Sequence, residues 1–422
     1  CPLYQEQTMQ MFMAIGFTQD ESEIIRRIIS KKKREEMPKW KDRIYQKCEE
    51  NKLDKKVGDI IWKVAEESAD YSFNFSHSLS TSYLTALTVY LKYKYPLYWY
   101  LACLENAKNH QNPLDEISLI QQELSHFNIK LLPPSLIHSE LCFTIENGNI
   151  RTGLSSIKGI AEKSFEKLLQ FRKPHSNKIE AFLAAKQAGL SIGILGSLTM
   201  SGCLDSLSTN RIKTVLESQL FNLLTPKEKV KSMELGSQFE YDIIKIVKHL
   251  ATNPTEKPSI KPSRYETIKS KYQEYYKIYQ ENIKHIDYSH YYFEKFHLGF
   301  SYSHTLKEIF SKDCPELLNI QEINNCEDGE SIALVATVEK AYTSKSKAGK
   351  RYLKLECSDN TSTFNIMLHG EEKLAKYKET NAKYPQPDDV VFIRGQKQPN
   401  IIFANSISVQ KNDVFLRLSQ LK

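Results

Sequence analysis

Between residues 18 and 106 apolar positions recur every three or four residues, as in Ile24, Ile25, Ile28 and Ile29 and again in Tyr83, Leu87, Tyr90 and Leu91. That is the period of helices burying one stripe. Pro38 and Pro96 separate these helices, because a proline inside one removes a backbone hydrogen bond. A further helix is predicted over 113–127, after which Leu131-Leu132-Pro133-Pro134 has to run extended. Cys142-Phe143-Thr144-Ile145 and Asn149-Ile150-Arg151-Thr152 flank Asn147-Gly148, a pair suited to the left-handed residues of a tight β-turn, and predict a short hairpin. From 153 to about 224 short helices are parted by Gly153, Gly159, Gly189, Gly193, Gly196 and Gly202, a pattern of helical hairpins. Residues 225–290 are polar, rich in Lys and Tyr and broken by Pro254, Pro258 and Pro262, so they read as a linker flanked by helices. Beyond about 329 the period changes to two, in 331–338, 352–355, 363–367 and 390–393, which predicts a small all-β domain.

A chain of 422 residues exceeds what one core usually organises. The expected fold is therefore multidomain, mainly α with a terminal all-β domain, divided at 1–150, 151–224, 225–328 and 329–412. The 58 Lys and Arg against 51 Asp and Glu leave +7, a mild excess that fits an anionic partner without requiring one. Eight cysteines, at 1, 48, 103, 142, 203, 314, 326 and 357, form no C-x-x-C pair and no Cys/His cluster at zinc-ligand spacing, which points to a reducing, cytoplasmic setting and no metal site. No run reaches the ~18 to 20 apolar residues of a membrane span, so no membrane association is expected.

Two segments carry candidate chemistry. In 26–34, Arg26, Ser30 and Lys33 fall on one helical face and Arg27 and Lys31 on the adjoining one. Such a face suits a triphosphate, with forked guanidinium donors and ammonium point charges; a solvated basic face is the alternative. Phe73-Asn74-Phe75-Ser76-His77-Ser78 opens a Tyr-rich helix, where free backbone N–H groups favour anions, or where Asn74 and Ser76 act as a simple cap. Asp54, Asp59, Asp70 and Asp115 share no strand and form no carboxylate cluster of the kind two-metal phosphoryl transfer needs.

The order of several short motifs resembles the alpha subunit of bacterial DNA polymerase III, the C family of DNA polymerases. The matching pieces are Tyr4-Gln5-Glu6-Gln7, Ile24 to Arg27 with Lys31 to Lys33, Phe73-Asn74 with Ser76-His77-Ser78, and Tyr90-Leu91-Lys92 with Tyr95-Pro96. Further on come Leu132-Pro133-Pro134, Gly153-Leu154 with Ile157-Lys158-Gly159, Gly202 with Leu204 to Leu207 and Asn210-Arg211, and Leu298-Gly299-Phe300 with Ser303-His304.

The resemblance implies helical fingers over 1–150, with Arg26, Arg27, Lys31, Asn74, Ser76 and His77 touching the triphosphate of an incoming dNTP. Phe75 stands where the family usually has a basic residue and Ser72 where it has glycine. It implies a helix-hairpin-helix domain over 151–224 that holds duplex DNA through Lys158, Gly159, Lys163, Asn210 and Arg211, with Ala161 replacing the second glycine of the first turn. After the linker and helical segment of 225–328 it implies an OB-fold over 329–412, meeting single-stranded template through Tyr342, Lys345, Lys347, Lys350, Arg351, Tyr352 and Phe364. No catalytic residue and no metal ligand is expected in this chain, since Mg²⁺ is held by the aspartates of a palm that precedes this region. The implied partners are primer-template duplex, single-stranded template, dNTP and that N-terminal palm-containing part. A sliding clamp is a further candidate, through Gln219 to Leu224, a segment that reads better as an amphipathic helix. Cys1 opens what looks like folded sequence, as expected for a piece of a longer protein that begins after an excised intein or at a truncation. The expected function is part of a replicative DNA polymerase; the alternative is a noncatalytic DNA-binding or assembly factor descended from one.

Overall fold

A computed structural model describes residues 3–31, 33, 35–68, 73–252, 258–346, 349–381 and 383–409. The chain divides into two compact units, Cys1–Pro96 and Leu97–Lys422.

The first unit is built from α1 (Gln5–Ala14), α2 (Gln19–Ser30), α3 (Met37–Glu50), α4 (Lys55–Ser68) and α5 (Phe75–Lys94). Thr18 starts α2 with a capping box: its Oγ1 accepts from the Glu21 N–H at 3.3 Å, and the Glu21 carboxylate accepts from the Thr18 N–H at 3.0 Å. Ser22, Ile25, Ile28 and Ile29 are the buried stripe of α2. Ile25 and Ile29 join Phe12, Phe17, Ile44, Cys48, Ile61 and Trp62 in a small core. The twenty residues of α5 bury no side chain.

The second unit opens with α6 (Pro96–Ala107) and α7 (Pro113–Leu124), then a three-stranded sheet of β1 (Leu131–Leu132), β2 (Thr144–Glu146) and β3 (Asn149–Arg151). Strand β3 pairs parallel with β1 and antiparallel with β2, and Asn147 and Gly148 turn the hairpin at φ +51° and +75°, as the sequence predicts. Next come α8 (Phe165–Phe171), α9 (Lys178–Gln187), α10 (Ile192–Met200), α11 (Arg211–Leu223), α12 (Pro226–Glu234), α13 (Ile243–Thr252), α14 (Pro262–Asn282), α15 (Ile286–Leu298) and α16 (Leu306–Phe310). The expected boundary near 150 does not coincide with the division at Pro96. Tyr100, Leu104, Ile117, Ile120, Phe143 and Ile150 lie in the second unit's main core instead. The stretch expected as a linker flanked by helices carries α12, α13 and α14, and Ile243, Ile246, Val247 and Leu250 of α13 are buried in that same core. Leu220, Phe221 and Leu224 are 2, 3 and 4% exposed, so the segment weighed as a clamp peptide is spent on internal packing.

The chain ends in β4 (Leu317–Leu318), α17 (Ile320–Asn324), β5 (Ser331–Lys345), β6 (Arg351–Ser358), β7 (Thr363–His369), α18 (Glu371–Thr380), β8 (Val390–Gln398) and β9 (Ile401–Val409). The ladder runs β5-β6-β7-β9-β8 and closes by pairing β8 with β5. A five-stranded closed barrel in this order, with a helix between its third and fourth strands, is an OB-fold. Strand β5 serves both neighbours along its length, pairing with β8 from Ser331 to Thr337 and with β6 from Thr337 to Lys345, with a register shift between Val338 and Lys340 in the second ladder. Tyr288, Tyr291 and Phe293 of α15 and Ile212 and Val215 of α11 share a core with Ala333, Val335 and Val390, which seats the barrel on the helices. Among the described residues no helix is long and apolar enough to cross a membrane.

Arg211, at the first turn of α11, is 1% exposed. Its Nε and Nη2 donate to Asp205 at 2.9 and 2.6 Å, Nη1 donates to Glu294 at 2.6 Å, and Nη2 also reaches the Tyr302 hydroxyl at 2.9 Å. Glu294 in turn accepts from Ser301 Oγ and the N–H groups of Tyr302 and Ser303, at 2.8, 2.8 and 3.0 Å, and from Ser303 Oγ. Burial opposes the charge on Glu294, yet Arg211 and these donors hold its carboxyl below the usual carboxylate range. Removing the cation strands a fully buried carboxylate. Arg211→Met is expected to cost about 3–5 kcal/mol of local stability, read from native-state hydrogen exchange of the α11 amides. A loss below about 1 kcal/mol would mean that the network is not what holds α11 to α15.

Candidate nucleic-acid interface

The first helical hairpin runs from a short 3-10 turn at Leu154–Ser156 through Ile157 to Ala161 into a second one at Glu162–Ser164 and then α8. Lys158, Gly159 and Lys163 are exposed. Gly159 has φ +101°, and a Cβ there would stand 2.6 Å from Ser197 Oγ, so the turn requires glycine both for its backbone and for its approach to α10. Among the described residues no acceptor takes the Gly159 or Ala161 N–H.

The second hairpin joins α10 to α11 through Gly202, whose φ is +88° and whose absent Cβ would land 1.8 Å from the Tyr302 hydroxyl oxygen. Asn210 caps α11, its Oδ1 accepting from the Lys213 N–H at 3.1 Å. Arg211, expected at the DNA, is instead the buried cation described above. Every contact found for its guanidinium is internal, and so it is structural.

On the barrel, β6 alternates from Tyr352 to Cys357 and β7 from Thr363 to His369. Leu353, Leu355 and Cys357 face in with Phe364, Ile366 and Leu368, while Tyr352, Lys354 and Glu356 pair on the outer face with His369, Met367 and Asn365. Phe364, expected as a stacking ring, is 8% exposed and belongs to the barrel core. Tyr342 and Ser344 of β5 extend the outer face opposite Lys354 and Tyr352, and Phe403 of β9 extends it beside Met367. The Lys354 ammonium stands 5.6 Å from the centre of the Tyr342 ring, and His369 meets Phe403 edge-on at 5.1 Å. Lys345, Lys350 and Arg351 are exposed at the rim where β5 turns into β6; Lys347 lies outside the described residues. Lys354, Met367, His369 and Phe403 were not singled out from the sequence. Counting by two from Tyr352 and away from Ile366 finds the first three.

In the first unit, Arg26 donates to Glu23 through Nε at 2.7 Å and Nη2 at 2.6 Å and to Gln5 through Nη1 at 3.1 Å, and Arg27 Nε reaches the same Glu23 at 2.7 Å. The bonds from Arg26, then from Arg27, bring the Glu23 carboxyl down to about 2. Lys31 is exposed at the end of α2. Asn74 caps α5, its Oδ1 accepting from the His77 N–H at 3.0 Å and from Ser76 Oγ. Ser76 and His77 are exposed. The Phe75 N–H, one of the donors at this helix start, is taken by the Glu6 carboxylate at 3.0 Å, and the Gln5 N–H bonds the Phe73 carbonyl at 3.0 Å. Gln5 thus links Arg26 to the start of α5, with Tyr4 packed edge-on against Phe75 at 5.0 Å. Carboxylates from Glu6 and Glu23 occupy donors that a phosphate would use. Among the described residues no group of three His, Cys, Asp or Glu side chains is arranged to hold a metal ion.

Residues 1–52 match the bacterial DNA polymerase III alpha subunit finger domain, and residues 128–214 match the helix-hairpin-helix motif. The chain is similar to DNA polymerase III subunit alpha of Aquifex aeolicus, 30% identical over 55% of this chain and 21% of that protein. It is similar also to that of Campylobacter jejuni, 27% identical over 87% of this chain and 29% of that one. The matched stretch therefore spans less than a third of these relatives' length. Among solved structures it is similar to the second OB-fold domain of replication protein A from Methanococcus maripaludis, with a TM-score of 0.18 and 19% identity over 22% of this chain and 95% of that one. Another is the mitochondrial single-stranded DNA binding protein Rim1 of S. cerevisiae, with a TM-score of 0.17 and 16% identity over 20% of this chain and 98% of that one. The finger-domain match at its front and relatives of one kind aligned over as much as 87% of its residues make bacterial DNA polymerase III subunit alpha the protein to which this chain is similar.

Proposed function

We propose that this chain supplies a template-directed DNA polymerase with its grip on DNA beyond the reacting atoms and with a wall that meets the incoming nucleotide's phosphates. The observation that carries this is the presence, in one compact unit, of a hairpin turn with open amides beside Lys158 and Lys163 and of a barrel face that mixes rings with cations. The turn suits the phosphates of a duplex, a contact without sequence information. The barrel face suits single-stranded template: Tyr342, Tyr352, His369 and Phe403 offer surfaces for bases, and Lys345, Lys350, Arg351 and Lys354 accompany the backbone.

At the first unit, Arg26, Arg27 and Lys31, with Asn74, Ser76 and His77, would neutralise and orient a dNTP triphosphate once Glu23 and Glu6 yield their donors. Mg²⁺ and the carboxylates that hold it fall to a palm segment outside these residues. The pairing of both arginines with Glu23 favours a second reading, a noncatalytic DNA-binding or assembly factor.

Primer extension separates the two, with the full chain alone and then together with a palm-bearing segment of the polymerase, Mg²⁺ and four dNTPs. Extension is expected only in the combined sample, reduced about a hundredfold by Arg27→Ala. DNA binding without extension in either sample would leave the binding-factor reading standing. For the barrel, Tyr352→Ala is expected to weaken binding of a labelled oligothymidylate by about 1–3 kcal/mol in fluorescence anisotropy. Phe364→Ala should instead cost about 3–5 kcal/mol of barrel stability. For the hairpin, Lys163→Met should reduce the slope of log K against log salt for duplex binding by about one, and an unchanged slope would remove Lys163 from the contact.

A further inference from the structure

The turn that carries Lys158 and Gly159 is held by the last residues of α15, 139 positions away in the chain. The bonds run both ways. The Lys158 N–H donates to the His297 carbonyl at 2.9 Å, and His297 Nδ1 lies 3.0 Å from the Lys158 carbonyl oxygen. A carbonyl only accepts, so Nδ1 carries the proton. His297 is 8% exposed, and burial brings its pKa down to about 4 against the pull of the Lys158 carbonyl, so the ring stays neutral at pH 7. The neighbouring Phe296 ring lies 4.1 Å beneath the Lys158 ammonium, which gives that charge a preferred station.

The planarity of the peptide bond turns this contact into a direction. In a trans peptide the C=O and the following N–H point opposite ways. Fixing the Lys158 carbonyl inward on His297 therefore aims the Gly159 N–H outward, and that N–H has no acceptor among the described residues. We infer that His297, assisted by Phe296, is the positioning residue of the duplex grip: it sets the Lys158–Gly159 peptide so that the Gly159 N–H and the Lys158 ammonium meet a phosphodiester together. The inference rests on reading this hairpin as the duplex contact.

The test uses the full chain with two probes, a blunt duplex of about 20 base pairs and a single-stranded oligothymidylate. A duplex of that length exceeds the reach of one hairpin, so end effects are small. An Asn side chain can offer a donor near the Nδ1 position, whereas Gln reaches toward Nε2 and Leu offers none. His297→Gln and His297→Leu are expected to lower duplex affinity about tenfold while oligothymidylate affinity stays within about twofold, and His297→Asn is expected to stay within about threefold of the parent for both probes. Equal losses in the Asn and Leu variants, or parallel losses for both probes, would overturn the inference. A measurement on the unmodified chain stands apart from any folding defect: the Gly159 amide resonance should move on adding duplex and not on adding oligothymidylate. If the unmodified chain binds duplex and this amide is indifferent, the positioning role is wrong. If it binds no duplex at all, the underlying assignment of the hairpin fails as well.

Discussion

The second unit is organised around a cation that has almost no access to water. Arg211 sits where charge is costly, and the cost is met by an acid six residues away and another 83 residues away, Asp205 and Glu294. Because a guanidinium presents its donors in a rigid fork, these partners have little positional freedom. Glu294 fixes one turn of α15, and the rest of that helix follows. Tyr291 bonds Thr337 at 3.0 Å, Lys295 bonds Glu339 at 2.7 Å, and Phe296 and His297 face the first hairpin. One helix thus touches both helical hairpins and the barrel, each through a different side.

The first unit presents a contrast. Its small core is complete without α5, which holds no Asp, Glu, Lys or Arg from Phe75 to Leu91 and mixes apolar side chains with Ser and Thr, yet buries nothing. What ties α5 to its unit is polar and terminal, chiefly the Phe73 carbonyl and the Phe75 N–H held by residues 5 and 6.

Much of this was legible from residue order. The hairpin at Asn147-Gly148 and the helix at 113–124 follow from local chemistry, and four of the barrel strands follow from period two. The fifth, β9, carries Asn405 and Ser406 in mid-strand and offers a weaker alternation. The misassigned residues fail for different reasons. Arg211 looks like a surface cation because the acid that lets it be buried lies far along the chain, and nothing local announces it. Phe364 was chosen by residue type, when its parity with Ile366 and Leu368 already placed it inside. Lys158 and Gly159 belong to a motif visible in the sequence, but His297, which holds them, lies 139 residues further on, and nothing local links the two.

Strand β4 is only two residues long, yet its place matters. It pairs with Ala333 and Leu334 of β5, on the part of that strand that β6 does not reach, while β8 takes the opposite side. Part of the ladder that the long first strand of the barrel would otherwise leave open is thereby covered. Ladder groups that are already paired cannot be taken by a passing strand, whether a partner's peptide or an unfolded chain. A two-residue strand is thus a small safeguard against joining the wrong sheet.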